Sequence, residues 1–237
     1  MKVILFIFAL VSIGSSGIID DIFNVPDSVL AQIPLTMPVG EICNDVKFNY
    51  CQVEFNRGLN IDTSLTWRNG TALLTAIKKA ILANGTDIGL IGTCRVRKQF
   101  FGCLGDTYSA CVNNYHLISE MSSTDKIRDA YRYTGMFKEL DFVCNGGFEI
   151  AIAEYGTIIT LDTSTNAIQC MQNFDSSLTG QPTQICKAGG AYATCLQNYF
   201  NSQLGLIEGW WACEKTRVAF ADQCSNIKCL VTSTPSN

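Results

Sequence analysis

The sequence predicts an all-α, disulfide-rich helical bundle. Apolar residues recur at helical spacing through most of the chain after residue 43. Cysteines number twelve, an even count spread from Cys43 to Cys229. Apolar residues make up 47% of the 237 positions, ample for a core in one large domain or two small ones. The formal net charge is −4, with only 17 Lys and Arg, so the chain offers no broad basic surface and nucleic acid is not an expected partner.

Taken from the start, residues 1–17 place a lysine before an apolar run from Val3 to Val11 and then small residues, the layout of a secretory signal peptide. Small-residue pairs at Ser12/Gly14 and Ser15/Gly17 both permit cleavage, and a cut after Gly17 is preferred. The run is too short to span a bilayer, which takes about 20 apolar residues. An extracellular, secreted chain with no membrane span is therefore expected, and an oxidising compartment allows six disulfides. Two Asn-x-Thr sequons, at Asn69 and Asn84, are candidate glycosylation sites in that compartment.

Residues 18–42 hold no cysteine and three of the five prolines. They read as a loosely packed N-terminal arm or as a removable pro-segment. Residues 43–237 form the stapled helical domain. In its 71–84 stretch, Leu73, Leu74, Ile77, Ala80 and Ile81 make one helical face, with Lys78 and Lys79 assigned to the other. In the 123–144 stretch, Ser123 or Thr124 is the expected cap, and Ile127, Ala130, Tyr131, Met136, Phe137 and Leu140 form an apolar stripe. "YGTIITLDTST" has the β-branched content of a strand but no strand partner, so helix or extended loop is expected. "IEGWWACEKTRVAFADQC" again shows helical spacing, at Trp211, Val218 and Ala219.

The chain also repeats itself. "CQVEFNRGL" from Cys51 matches "CMQNFDSSL" from Cys170, and "CRVRKQFFGCLG" from Cys94 matches "CKAGGAYATCLQ" from Cys186. Cys144 and Cys213 supply a third element. The reading is two degenerate three-helix units, 43–145 and 146–237, with Cys43, Cys111, Cys224 and Cys229 outside the repeat and free to pair in any combination.

A helix from Cys94 to Cys103 sets the two sulfurs on opposite faces, about 13.5 Å apart along the axis. A disulfide needs Cα atoms within about 7 Å, so each cysteine must reach a different neighbour. Taking turns near Gly180 and Gly205 as the levels from which antiparallel helices are counted pairs Cys170 with Cys186 and Cys195 with Cys213. Transferred to the first unit, this predicts Cys51 with Cys94 and Cys103 with Cys144.

Motifs that carry chemistry are few. His116 is the single histidine, so no His-based zinc site can be assembled, and neither a metal nor a cofactor is expected. It reads as a packed or surface side chain. The acidic clusters are Asp20 with Asp21, Glu139 with Asp141, and Glu149 with Glu154. They read as solvated faces or caps, with a catalytic carboxylate pair as the alternative. Arg95, Arg97 and Lys98 are assigned to the exposed side of the middle helix. Trp210 and Trp211 read as core packing, with a ligand groove as the alternative.

The frames "NGTALLTAIKKAILANGTD", "FFGCLGDTYSACVN", "ELDFVCNGGF" and "GWWACE" resemble secreted cysteine-rich helical proteins of nematodes, a group loosely similar to chondroitin-proteoglycan-core-like domains. The resemblance covers most of residues 43–229. It implies a secreted helical disulfide fold and brings no catalytic residue with it. The chain lacks the Ser-Gly-rich acidic tracts that carry chondroitin. The leading functional expectation is a secreted, non-enzymatic protein that binds an extracellular macromolecule or serves a structural role. The alternatives are a carrier of a small apolar ligand and a secreted hydrolase with a carboxylate pair.

Overall fold

The computed structural model describes residues 18–231 apart from Val39, Glu41 and Asn84; the expected leader at 1–17, the second sequon asparagine and residues 232–237 lie outside the described residues. Every described element is helical. Within the arm, α1 covers Asp27–Leu30. The first half contains α2 (Asp45–Gly58), α3 (Gly70–Leu82), α4 (Ile88–Leu104), the short α5 (Tyr108–Cys111) and α6 (Asn114–Ser119), and α7 (Ile127–Val143). Short helices α8 (Phe148–Ala153) and α9 (Tyr155–Asp162) lead to α10 (Thr165–Gly180), α11 (Ile185–Gln203) and α12 (Leu206–Ala219). The β-branched stretch at 155–162 is therefore helical.

Side chains close several helix starts. Asn44 accepts the Lys47 N–H at α2, and Ser164 accepts the Ala167 N–H at α10. At α7 the expected caps are displaced: the helix begins after Lys126, because Ser122 donates its N–H and hydroxyl to Asp125 and closes a separate turn.

In the first half, α2 and α4 run antiparallel: Gly58 lies against Val96, Phe55 against Phe100, and Cys51 is bonded to Cys103. A Cβ on Gly58 would come within 2.8 Å of Val96, so only glycine permits this approach. On its other side α4 runs antiparallel to α7, with Phe100 on Phe137, Arg97 on Asp141 and Cys94 bonded to Cys144. Phe48, Phe55, Phe100, Tyr133 and Phe137 fill the space between the three helices with ring centroids 4.7 to 6.5 Å apart. The second half repeats the scheme: α10 and α11 are antiparallel, with Phe174 on Tyr192 and Cys170 bonded to Cys195, and α12 folds back on α11 with Trp211 on Phe200.

All twelve cysteines are paired, but not as the spacing suggested. The bonds are Cys43–Cys111, Cys51–Cys103, Cys94–Cys144, Cys170–Cys195, Cys186–Cys224 and Cys213–Cys229. The middle helix of each half is tied on two sides, as its geometry demands. Each of the four predicted partners is wrong, and the reasons are visible. The α10–α11 turn is the 3₁₀ segment Pro182–Gln184, not Gly180, which ends α10. Cys170 and Cys195 stand almost equally far from that turn, so they are level. In the first half, α3 is inserted between α2 and α4, so no single turn sets the register, and the Gly58 crossing does. Cys186 reaches the turn after α12, and Cys213 reaches the C-terminal tail, so the counterpart of Cys144 is Cys224 and not Cys213.

The arm is the largest departure. Instead of packing loosely, it buries Ile18, Ile19, Ile22, Phe23, Val25, Val29, Leu30 and Ile33 between the halves. Phe23 meets Tyr131 of α7, Phe174 of α10 and Phe220 just after α12, at 5.0, 6.1 and 5.6 Å. Its φ of +70° is a left-handed conformation costing roughly 1–2 kcal/mol for a side-chain-bearing residue, which burial of the ring offsets. A pro-segment removed at residue 42 would take this part of the core with it.

Candidate functional site

The halves meet where α7 runs antiparallel to α12. Gly135 faces Ala219, Phe142 packs on Trp211, and between these levels Glu139 comes opposite Lys215. Both side chains are 0% exposed. Two more acids join them, Asp20 from the arm and Asp162 from the end of α9. The Lys215 Nζ donates to Asp20 Oδ1 at 2.9 Å and to Asp162 Oδ2 at 2.8 Å. The Tyr192 hydroxyl of α11 donates to the other oxygen of Asp20 at 3.2 Å, and the Asp20 N–H donates to Glu139 Oε2 at 2.7 Å. Five segments, the arm, α7, α9, α11 and α12, thus converge on one buried cluster.

Burial governs its protonation. It pushes Glu139 well above the usual carboxylate range, and the charge of Asp20 adds to that rise while Lys215 opposes it. Asp162 is raised by burial to about 7 against the pull of Lys215. For Lys215 burial alone would favour the neutral amine, yet Asp162, Asp20 and Glu139 outweigh it and hold the ammonium above the ordinary lysine range. The indole of Trp211 lies 5.4 Å from the same Nζ and adds a cation–π contact. Glu139 Oε1 is buried and has no hydrogen-bond partner.

The acidic clusters seen in the sequence are split by the fold. Asp20 enters the buried cluster, while Asp21 pairs with Arg132 at 2.7 Å. Glu139 turns inward, whereas Asp141, two residues on, receives the Arg97 Nε–H at 2.5 Å and the Tyr108 hydroxyl at 2.8 Å. Asp20 and Glu139 are therefore not solvated faces. Arg97 is likewise buried, against Asp141, Phe101 and Tyr108, and only Arg95 and Lys98 of that trio are exposed. Lys78 is also buried rather than on an outer face, and burial lowers its pKa. Glu149, in the first turn of α8, is exposed, and Glu154, just after that helix, is half-buried.

No family model matches this chain, and no curated protein or solved structure matches it significantly. The geometry must speak alone. His116 Nε2 contacts Asp45 at 3.0 Å beside Phe48; Cys43, which stands next to them, has its sulfur in the bond to Cys111. Trp211 is fully buried with its N–H donating to the Gly147 carbonyl at 2.9 Å, and Trp210 packs on Phe142 at 6.0 Å. Among the described residues, a surface cleft of 570 Å³ lies among Asp27, Asn69, Thr71, Arg128 and Arg132, away from both indoles. Asn69 accepts the Thr66 N–H with its carbonyl oxygen, and Thr71 donates its hydroxyl to Asp129. Among the described residues, no helix is long and apolar enough to cross a membrane.

Lys215, Asp162 and Tyr192 escaped the sequence reading. A signal existed: Lys215 stands one turn from both Trp211 and Ala219, on the face that must be buried, as Glu139 stands among Met136, Leu140 and Val143. A charge on an apolar stripe needs a buried partner, but the stripe cannot say which one.

Proposed function

We propose that this chain is an exported, non-enzymatic protein that acts outside the cell as a binding or structural element. One observation carries the reading: the carboxyls and ammonium of Asp20, Glu139, Asp162 and Lys215 are sealed inside and spent on joining the arm to the two halves. A hydrolytic carboxylate pair has to face a substrate, and these groups are buried and bonded to one another. Six disulfides suit an oxidising compartment, as do the leader read at 1–17 and the resemblance to secreted cysteine-rich nematode proteins. A glycan on Asn69 would stand over the cleft between Asp27 and Arg132. Exposed Val46 and Tyr50, one turn apart on α2, with exposed Ile42 just before that helix, offer an apolar surface that a macromolecular partner would cover.

The test is expression of the full chain in a secreting eukaryotic host. The expected result is recovery from the medium with no alkylatable thiol before reduction and a mobility shift on deglycosylation that Asn69→Gln diminishes. Retention in the cell with free thiols would overturn export. Turnover of ester or glycoside reporters that Glu139→Gln abolishes would overturn the non-enzymatic assignment.

A further inference from the structure

The bond cut in the expected leader removal lies directly before buried residues. The leader pattern places its cut between Gly17 and Ile18, and Ile18 and Ile19 are each 0% exposed. Asp20, two residues on, is already tied to the charge cluster through its own N–H and through its carboxylate. Two residues of chain span at most about 7 Å, so the Ile18 nitrogen lies within about 10 Å of Glu139 Oε2. There Glu139 Oε1 is buried with no hydrogen-bond partner.

The charges point the same way. Asp20, Asp162 and Glu139 are three acids, and the ammonium groups that act on Glu139 are those of Lys215 and Lys78. With two cations against three acids, burial raises Glu139 well above the usual carboxylate range. A third cation beside Oε1 would balance the three acids and would give the orphan oxygen a donor.

We propose that the α-amino group of Ile18, released when the leader is cut after Gly17, becomes a member of this buried cluster as the partner of Glu139, so that processing completes the fold. In the cut, water adds across the Gly17–Ile18 amide. The C–N bond breaks, the acyl carbon leaves as the carboxylate of Gly17, and the nitrogen keeps its proton and takes two from water and solvent to become the α-ammonium of Ile18. The processed chain thereby gains one buried positive charge that the uncut chain lacks. This rests on the reading of the chain as an exported, processed protein.

The experiment uses the full chain secreted from a eukaryotic host. Intact mass and N-terminal sequencing come first: a chain that is exported but starts elsewhere than Ile18 overturns the proposal and leaves export standing, whereas a chain retained uncut overturns export itself. For chains starting at Ile18, reductive methylation with formaldehyde and cyanoborohydride at neutral pH is followed by peptide mapping. The Ile18 amine is expected to react at least about tenfold more slowly in the folded protein than in denaturant, because only opening of the arm exposes it. Reaction as fast as that of surface Lys79 or Lys98 would overturn the assignment. A second variant carries one alanine inserted between Gly17 and Ile18, which moves the ammonium out of register. Glu139→Gln is expected to lower the melting temperature of the Ile18 chain clearly more than that of the extended chain. Equal losses in both would overturn the pairing, and the methylation rate still decides if Glu139→Gln does not fold.

Discussion

The two halves of the molecule use one plan with different outcomes. In each, a first helix is bonded to the far cysteine of the middle helix, Cys51–Cys103 and Cys170–Cys195. The near cysteine is bonded just past the third helix, Cys94–Cys144 and Cys186–Cys224. The first half inserts α3 between its first two helices, whereas the second connects them by a tight 3₁₀ turn. Their third helices, α7 and α12, pack antiparallel on each other. When Cys144 is matched with Cys224, Glu139 corresponds to Ala219 and Gly135 to Lys215. The seam is therefore charged on one side of its centre, where Glu139 meets Lys215, and small on the other, where Gly135 meets Ala219. The arm accounts for the difference. It is a single segment and cannot obey a twofold relation, so it sends Asp20 to the charged side and Phe23 to the small side. Near-equivalent halves become one molecule by being made unequal where they touch.

The charged side should carry the largest effect. Lys215→Met leaves Asp20 and Asp162 buried without their ammonium, and a loss of about 3–5 kcal/mol is expected in denaturant unfolding followed by circular dichroism. Both halves should unfold in one transition; two separate transitions in the parent protein would break the view of the seam as their common anchor.

The equivalent staples come next. Their loops span 52 residues for Cys51–Cys103 and 25 for Cys170–Cys195. Replacing both cysteines of a bond by serine should cost about 4 kcal/mol in the first half and about 3.5 in the second on chain entropy alone. A larger loss in the second half would show that the inserted α3 already restrains the first.

A smaller effect attaches to Asp175 of α10, where the arm crosses the second half. Burial raises its carboxyl to about 6, with Asp21 adding to the rise and Arg132 and the Asn24 N–H opposing it. The folded chain then keeps a proton that the unfolded chain, with its ordinary value of 3.8, has released. The corresponding stability is complete at acid pH and is lost as pH rises through about 6. The melting temperature should fall by a few degrees, roughly, across that window, and Asp175→Asn should flatten the profile.

The smallest change tests the small side of the seam. A Cβ on Gly135 would lie 3.8 Å from the Phe23 ring and 3.9 Å from Ala219, ordinary contact distances. Gly135→Ala should therefore stabilise the protein by about 0.5–1 kcal/mol through helix propensity, measured as a rise in melting temperature. A loss would mean that Phe23 needs the gap.

The stretch Cys94–Cys103 shows how far local reasoning reaches. Helical period alone put its cysteines on opposite faces, and both do go to different helices. Which helix takes which cysteine depends on the register, and the register was decided by the contact of Gly58 with Val96, two residues that no short-range rule connects. The same division runs through the candidate site. Glu139 and Lys215 are each visible as charges on apolar stripes. Their meeting with Asp20 and Asp162 required four segments to be brought together from distant parts of the chain.

The sequence by itself determined the helical class, the repeat of cysteine frames and the two-sided tying of each middle helix, because these follow from periodicity and helix geometry within a few turns. Only the tertiary structure decided the bond partners, the burial of Arg97 and Lys78, and the role of the arm. Antiparallel register and the closing of the α7–α12 seam are set by side chains that touch across the whole chain, and an apolar, proline-containing segment such as 18–42 reads alike whether it lies on the surface or fills the space between two halves.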